Sequence, residues 1–181
     1  MSRLFGPIQQ IGFVVGNLEE ALTYWTETLG IGPFFVIRHL PVEKFWYRGE
    51  PSTPPDLALA IASSGELQVE LIYQYDKHPS AFLDCLQTRG EGLQHASAWV
   101  DRKGYEKNVA ELKESGVSLA HEGWLKDDGP RFAFFATDIK AGGFQYEVSD
   151  VADPRFSALG ETIREAANGW DGSQAIRDLT L

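Results

Sequence analysis

Residues 8–30, IQQIGFVVGNLEEALTYWTETLG, read as a strand running straight into an amphipathic helix. IQQIGFVV suits a buried strand except at Gln10, where an amide stands in place of an apolar side chain. Asn17 is placed to cap the helix, Glu19 and Glu20 fall in its first turn, and Gly30 supplies the stop. Leu18, Ala21, Leu22, Trp25 and Leu29 recur at helical spacing and make one apolar face. The strand candidates PFFVIRHL, LALAIAS and LQVELIYQY follow, the last two joined by an SSGE turn.

The pattern then starts again. LQHASAWV reads as a strand and YEKNVAELKESG as a helix, with Tyr105, Val109 and Leu112 on one face and Gly116 just past its end. VSLAHEGW, RFAFFATD and FQYEVSD are three further strands, the last two flanking IKAGG. Both halves therefore read β-α-β-β-β, an α+β chain with an internal duplication. The modules span about residues 6–76 and 91–150, within a domain of residues 1–150. SAFLDCLQTRG bridges the modules as a short helix, in which Cys85 reads as packing. A C-terminal helical extension takes residues 151–181, with Phe156, Leu159, Ile163, Ala167 and Trp170 on the face that would dock.

Bulk composition narrows the function. The chain has 181 residues, 43% hydrophobic and 23% charged, an ordinary balance for a folded domain. A net charge of −10 argues against a nucleic-acid or anionic-membrane partner. One cysteine makes no internal disulfide, and MSRLFGPIQQ carries no apolar run of signal-peptide length, so the expected location is cytoplasmic.

Strand alternation puts four polar residues on inward faces. Gln10 shares a face with Gly12 and Val14, Glu70 with Gln68 and Ile72, His95 with Ser97 and Trp99, and Glu147 with Gln145. Each half contributes one polar residue on its first strand and one carboxylate on its last, at separations of 60 and 52 residues. Unpaired carboxylates in an interior are expensive. Gln10, Glu70, His95 and Glu147 would satisfy one another around a divalent cation. Three oxygens, one nitrogen and two negative charges suit Zn, Ni, Co, Mn or Fe, with two positions left for water or substrate. Gln9, one step away, faces outward and reads as incidental.

These segments resemble the vicinal oxygen chelate superfamily, which includes glyoxalase I, methylmalonyl-CoA epimerase, extradiol dioxygenases and bleomycin-resistance proteins. The resemblance covers about residues 6–150 and rests on IQQIGFVVGNLEEALTYWTETLG, VELI, GEGLQHASAWV and GGFQYEV. SAFLDCLQTRGEGLQHASAWVD is similar to the epimerase branch, whereas Gln10, Glu70, His95 and Glu147 resemble the glyoxalase I ligand set. It implies paired modules forming a cupped, incomplete barrel around a metal, a homodimer, and a small-molecule substrate. In the enzymes of this kind the metal stabilises an enolate or enediolate while a carboxylate moves the proton. Glu147 is the expected base and Glu70 its partner on the opposite face, giving a glyoxalase- or epimerase-like lyase or isomerase.

Two other readings belong beside it. A ring-cleaving dioxygenase wants two histidines and one carboxylate, and Gln10 stands where the second histidine would be. A metal-free binding protein of the bleomycin-resistance type would hold an aromatic ligand among Trp46, Tyr47, Trp99, Trp124 and Phe135. Residues 39–56, HLPVEKFWYRGEPSTPPD, read as a long loop, either a solvated connector or a lid whose Arg48 holds a substrate carboxylate or phosphate. His39, His78 and His121 are expected at the surface.

Overall fold

The computed structural model describes residues 6–137 and 143–180. Strand β1 (Gln10–Val14) leads into α1 (Leu18–Thr23), which continues as a π-helical turn over Tyr24–Thr28. The Asn17 side chain accepts the backbone N–H groups of Glu19 and Glu20 at 3.1 and 3.3 Å, the cap its position called for. Then come β2 (Phe34–Ile37), β3 (Val42–Tyr47), β4 (Glu50–Pro51), β5 (Leu57–Ser64) and β6 (Leu67–Gln74). Helix α2 (Ala81–Arg89) joins this half to β7 (Gly92–Trp99), α3 (Arg102–Glu114), β8 (Leu119–Leu125), β9 (Arg131–Ala136) and β10 (Gln145–Ser149). Of the IKAGG connection, residues 139–142 lie outside the described residues. Helix α4 (Ser157–Ala167) and β11 (Ile176–Leu179) end the chain.

The strands form one sheet in the order β11-β2-β5-β6-β1-β7-β10-β9-β8-β3-β4. The runs β2-β5-β6-β1 and β7-β10-β9-β8 mirror each other across an antiparallel β1–β7 seam, and each half pairs its first and last strands in parallel. The duplication read from the sequence is thus a topological one.

Curvature follows from chain length. Ile37 ends β2 near one edge of the sheet and Val42 begins β3 near the other, yet five residues of chain reach at most about 18 Å. Along a flat sheet β5 and β9 would lie five strand spacings apart, about 24 Å. Instead Leu57 and Ile72 of the first half share a cluster with Phe132 and Phe134 of the second, together with Phe45 and with Phe82 and Cys85 of α2. The sheet therefore curls around that cluster. At one end the Leu40 N–H donates to the Leu57 carbonyl and the Lys126 N–H to the Pro41 carbonyl, which draws the two edges together. On the convex face, α1 packs Leu18 and Leu22 on Phe34, Val36, Ala58 and Ala60, and α3 packs Tyr105 and Val109 on Ala133, Phe135 and Val148.

Two segments differ from their sequence reading. Residues 42–47 are not a solvated loop: β3 crosses from the first half to pair with β8 of the second, placing Phe45 and Tyr47 inward. The crossing is favoured because Phe45 gains a buried site and the β8 edge is covered. The C-terminal segment folds as a helix and also a strand. Helix α4 lays Ile163, Leu159 and Ala166 on Phe35 and Ile61 of the concave face, while β11 pairs in parallel with β2. Ala166 takes the inward position in place of Ala167, and Trp170 instead covers Gly32, where an added Cβ would meet its ring at 2.8 Å. Among the described residues no helix is long and apolar enough to cross a membrane.

Candidate functional site

The centre of the concave face is built by β6, β1, β7 and β10, adjacent strands that each contribute one inward polar side chain. Around His95 Nε2 stand Gln10 Oε1, Glu70 Oε2 and Glu147 Oε2, each at 3.5 Å. His95 is fully buried, and both glutamate side chains are only 9% exposed. The structure thus brings together all four residues that strand alternation singled out.

Gly12 makes room for this cluster. It is the register partner of His95, and a Cβ added there would lie 1.8 Å from His95 Cε1. The register shifts next to it: Gly12 faces His95 but Phe13 faces Leu93, so Gln94 is the extra residue of a β-bulge. Gln94 is fully buried, and its Oε1 lies 2.7 Å from His95 Nδ1. Its Nε2 donates to Gln145 Oε1 at 2.8 Å. In the other half Gln10 Nε2 donates to Gln68 Oε1 at 2.7 Å, which turns Gln10 Oε1 toward His95.

Burial sets the electrostatics. It pushes the Glu147 carboxyl up to about 7, against the opposing pull of the Ser97 hydroxyl. Glu70 is raised well above the carboxylate range by burial and by the nearby Glu147 charge. The His95 imidazole is pushed down to about 3 by burial, so it is neutral. Glu147 Oε2 has no hydrogen-bond partner among the described residues, a cost of about 1–3 kcal/mol for a buried acceptor.

Among the described residues no group of His, Cys, Asp and Glu side chains is set as a formed metal centre. The donor chemistry nevertheless suits one. Ligand bonds of about 2.0–2.2 Å place neighbouring donors roughly 2.8–3.1 Å apart in octahedral and roughly 3.3–3.6 Å apart in tetrahedral geometry, against the 3.5 Å between His95 Nε2 and each of the three oxygens. An orphaned carboxylate oxygen, two carboxyls with raised pKa and a neutral imidazole are what a divalent cation would complete. A carboxyl poised near neutrality is also suited to general acid–base work.

The remaining candidates are scattered. Trp99, half-buried, continues the face of His95 and Ser97 to the end of β7, and its backbone N–H donates to Gln9 Oε1 at 2.9 Å. Gln9 is therefore not incidental; it ties the chain before β1 to β7. Trp46 lies on the opposite side of β3 from Phe45 and packs against Trp124 at 5.3 Å, with Lys44 and Arg131 over the Trp124 ring. Arg48 is exposed and bonds Asp84 at 3.1 Å, and Tyr47 donates to the same carboxylate at 2.8 Å. Neither Trp46 nor Arg48 is among the contacts of the His95 cluster.

Phe135 is corrected to a core residue, fully buried beneath α3 on the convex face. Its neighbour Phe134 points the other way and sets its ring 4.9 Å from that of His95. His121 is likewise not at the surface. It is fully buried among Phe45, Phe82, Phe132 and Phe134, accepts the Ala81 N–H at Nδ1, and is pushed down to about 3 by burial and by His95. Alternation along β9 carried the signal for Phe134; nothing local marked His121, which the crossing of β3 encloses. His39 and His78 are at the surface, beside Asp56 and Asp76.

The barrel centre is bounded on one side by Phe134 and α2, and on the other by α4, whose Ile163 packs on Ile61, the register partner of Glu70. A small cavity of about 130 Å³ lies between α2 and the start of β10, with Arg89, Cys85 and Gln145 in its lining.

Comparison with known proteins agrees with this architecture. The sequence model of the Glyoxalase/Bleomycin resistance protein/Dioxygenase superfamily matches residues 9–135. Among solved structures, the methylmalonyl-CoA epimerase of Mycobacterium tuberculosis is similar with a TM-score of 0.56 at 20% identity, over 87% of this chain and 95% of that one. A hypothetical protein from Bacillus halodurans C-125 gives 0.52 at 22% identity, over 80% and 93%. A methylmalonyl-CoA epimerase of Streptomyces coelicolor, in complex with 2-nitronate-propionyl-CoA, gives 0.51 at 17% identity, over 81% and 97%. These likenesses are ones of fold. Comparison with curated proteins returns no match.

Proposed function

The chain belongs to the Glyoxalase/Bleomycin resistance protein/Dioxygenase superfamily, and within it we propose a divalent-metal-dependent isomerase or lyase that moves a proton beside a chelated carbonyl of a small molecule. One observation carries the reading: His95 Nε2 sits 3.5 Å from three oxygens supplied by the matching strands of both halves. Gln10, Glu70, His95 and Glu147 would hold the ion, which is drawn from Zn, Ni, Co, Mn and Fe. When bound, it supplies Lewis acidity that acidifies a C–H next to a carbonyl.

The protein's own groups do the rest. Glu147 accepts and returns the proton through the carboxylate oxygen that the ion leaves free. Glu70 reaches the same centre from β6, on the other side of β1 and β7 from β10, which supports a reading in which the two carboxyls serve opposite faces of one carbon. Phe134 beside His95 and Ile61 beside Glu70 line the flanks with apolar surface. An epimerase-type step uses both carboxyls in turn, and the solved structures named as methylmalonyl-CoA epimerases favour that type of chemistry. Gln10, a neutral oxygen donor, favours proton transfer over oxygen activation.

The test is elemental analysis of protein purified without chelators, followed by deuterium uptake from solvent into small thioesters and hydroxy-ketones. Near-stoichiometric divalent metal and exchange that Glu147→Gln abolishes are expected. Protein that neither retains nor takes up a divalent metal would instead mark a small-molecule binding module.

A further inference from the structure

We propose that Gln94 and Gln145 are positioning residues for His95, a chain of two amides that fixes which imidazole nitrogen faces the barrel centre. The inference rests on the metal-site reading only for the use made of that nitrogen. The chain itself is structural. Because the β7 bulge inserts Gln94 between the partners of Gly12 and Phe13, Gln94 and the adjacent His95 reach each other across 2.7 Å. In a regular strand, consecutive side chains would point to opposite faces.

The amide then acts as a polarised link. Gln94 Nε2 donates to Gln145 Oε1, so only Oε1 is left for the imidazole. An oxygen acceptor at 2.7 Å requires the hydrogen to be on Nδ1, which leaves the lone pair of Nε2 directed at Gln10, Glu70 and Glu147. This arrangement runs against the local field. Three oxygens surround Nε2 and, without a metal, they would draw the hydrogen to that side. Their separation of 3.5 Å makes each a poor acceptor, whereas the Gln94 bond is short. The first half is built alike: Gln68 takes the amide N–H of Gln10 at 2.7 Å and leaves its oxygen for the centre. In each half a glutamine thus stands behind a neutral donor, and removing such a partner typically lowers metal affinity by about 10–100-fold.

The experiment records the imidazole ¹⁵N shifts of His95 in metal-free protein and, separately, titrates Co²⁺ by its visible absorption. Wild type is expected to carry its hydrogen on Nδ1. Gln94→Met, which removes the acceptor at similar volume, moves it to Nε2 and weakens Co²⁺ binding by about 10–100-fold. Gln94→Glu, which can only accept once ionised, keeps the Nδ1–H form at alkaline pH and there binds Co²⁺ more tightly than Gln94→Met, a rescue that packing alone would not produce. If Gln94→Met does not fold, Gln145→Met, altered at the half-buried end of the chain, is expected to shift the tautomer the same way. A wild-type His95 with its hydrogen on Nε2, or variants that leave tautomer and affinity unchanged, would overturn the inference. A wild type that binds no Co²⁺ would sink the metal-site reading, while the ¹⁵N shifts still judge the role of the amides.

Discussion

In the metal-free protein, Glu147→Gln should raise stability, and by an amount that grows with pH. The native carboxyl titrates at about 7 against an ordinary 4.5, raised by burial. The unfolded chain therefore releases this proton near pH 4.5 while the native state holds it until about pH 7. Over that window the unfolded state gains on the native one, and above it the loss is complete. At about 1.4 kcal/mol per pH unit the full penalty is about 3 kcal/mol, of which less than about 1 kcal/mol has accrued at pH 5. A neutral amide of the same shape does not incur it. The observable must be the difference between variant and wild type, because His95 and His121, pushed down to about 3, pull the other way below their ordinary 6.5. Urea unfolding in EDTA at pH 5, 6, 7 and 8 should show that difference growing by about 2–3 kcal/mol from pH 5 to pH 8. Adding Co²⁺ at about a hundredfold excess over its Kd should then stabilise wild type by about 2.7 kcal/mol and leave the variant behind. A difference that stays flat or shrinks as pH rises would refute the assignment of Glu147 as a buried, proton-holding carboxyl.

Other expectations follow from packing. Gly12→Ala puts a methyl group 1.8 Å from His95 Cε1, and the ring must move; a stability loss of about 1–3 kcal/mol by urea unfolding should accompany weakened Co²⁺ binding, and unchanged values for both would contradict the packing described. Ile163→Ala removes the buried anchor of α4 from Phe35 and Ile61. It should cost about 2–5 kcal/mol and open the C-terminal segment to limited proteolysis; a fully protease-resistant variant would show that α4 is held by other contacts.

Much of this architecture was legible locally. Alternation alone placed Gln10, Glu70, His95 and Glu147 on inward faces, and their repeated spacing tied them to a duplicated frame. What alternation could not show was the bulge at Gln94, because an inserted residue leaves no mark in a period-two pattern until the partner strand is known. The same limit explains Phe135. Alternation along β9 separated Phe132 and Phe134 from Ala133 and Phe135, but which set faced the centre was decided by the side that α3 covers. Trp46, Tyr47 and Arg48 read as part of a loop, connector or lid, because their pairing partner, β8, lies more than 70 residues further along the chain. His121 is enclosed only when that pairing forms.

By itself the sequence determined the β-α-β-β-β pattern of each half, the duplication and the four inward polar residues, but not β3 or β11, since each of the former depends on spacing within a few residues or on its recurrence. The tertiary structure alone decided that the four meet around one imidazole nitrogen, that buried amides stand behind Gln10 and His95, and that α4 and the crossing β3 wall the cup. Those outcomes depend on curvature and register between strands distant in sequence. Burial at that meeting point is also what raises the two carboxyls and keeps His95 neutral.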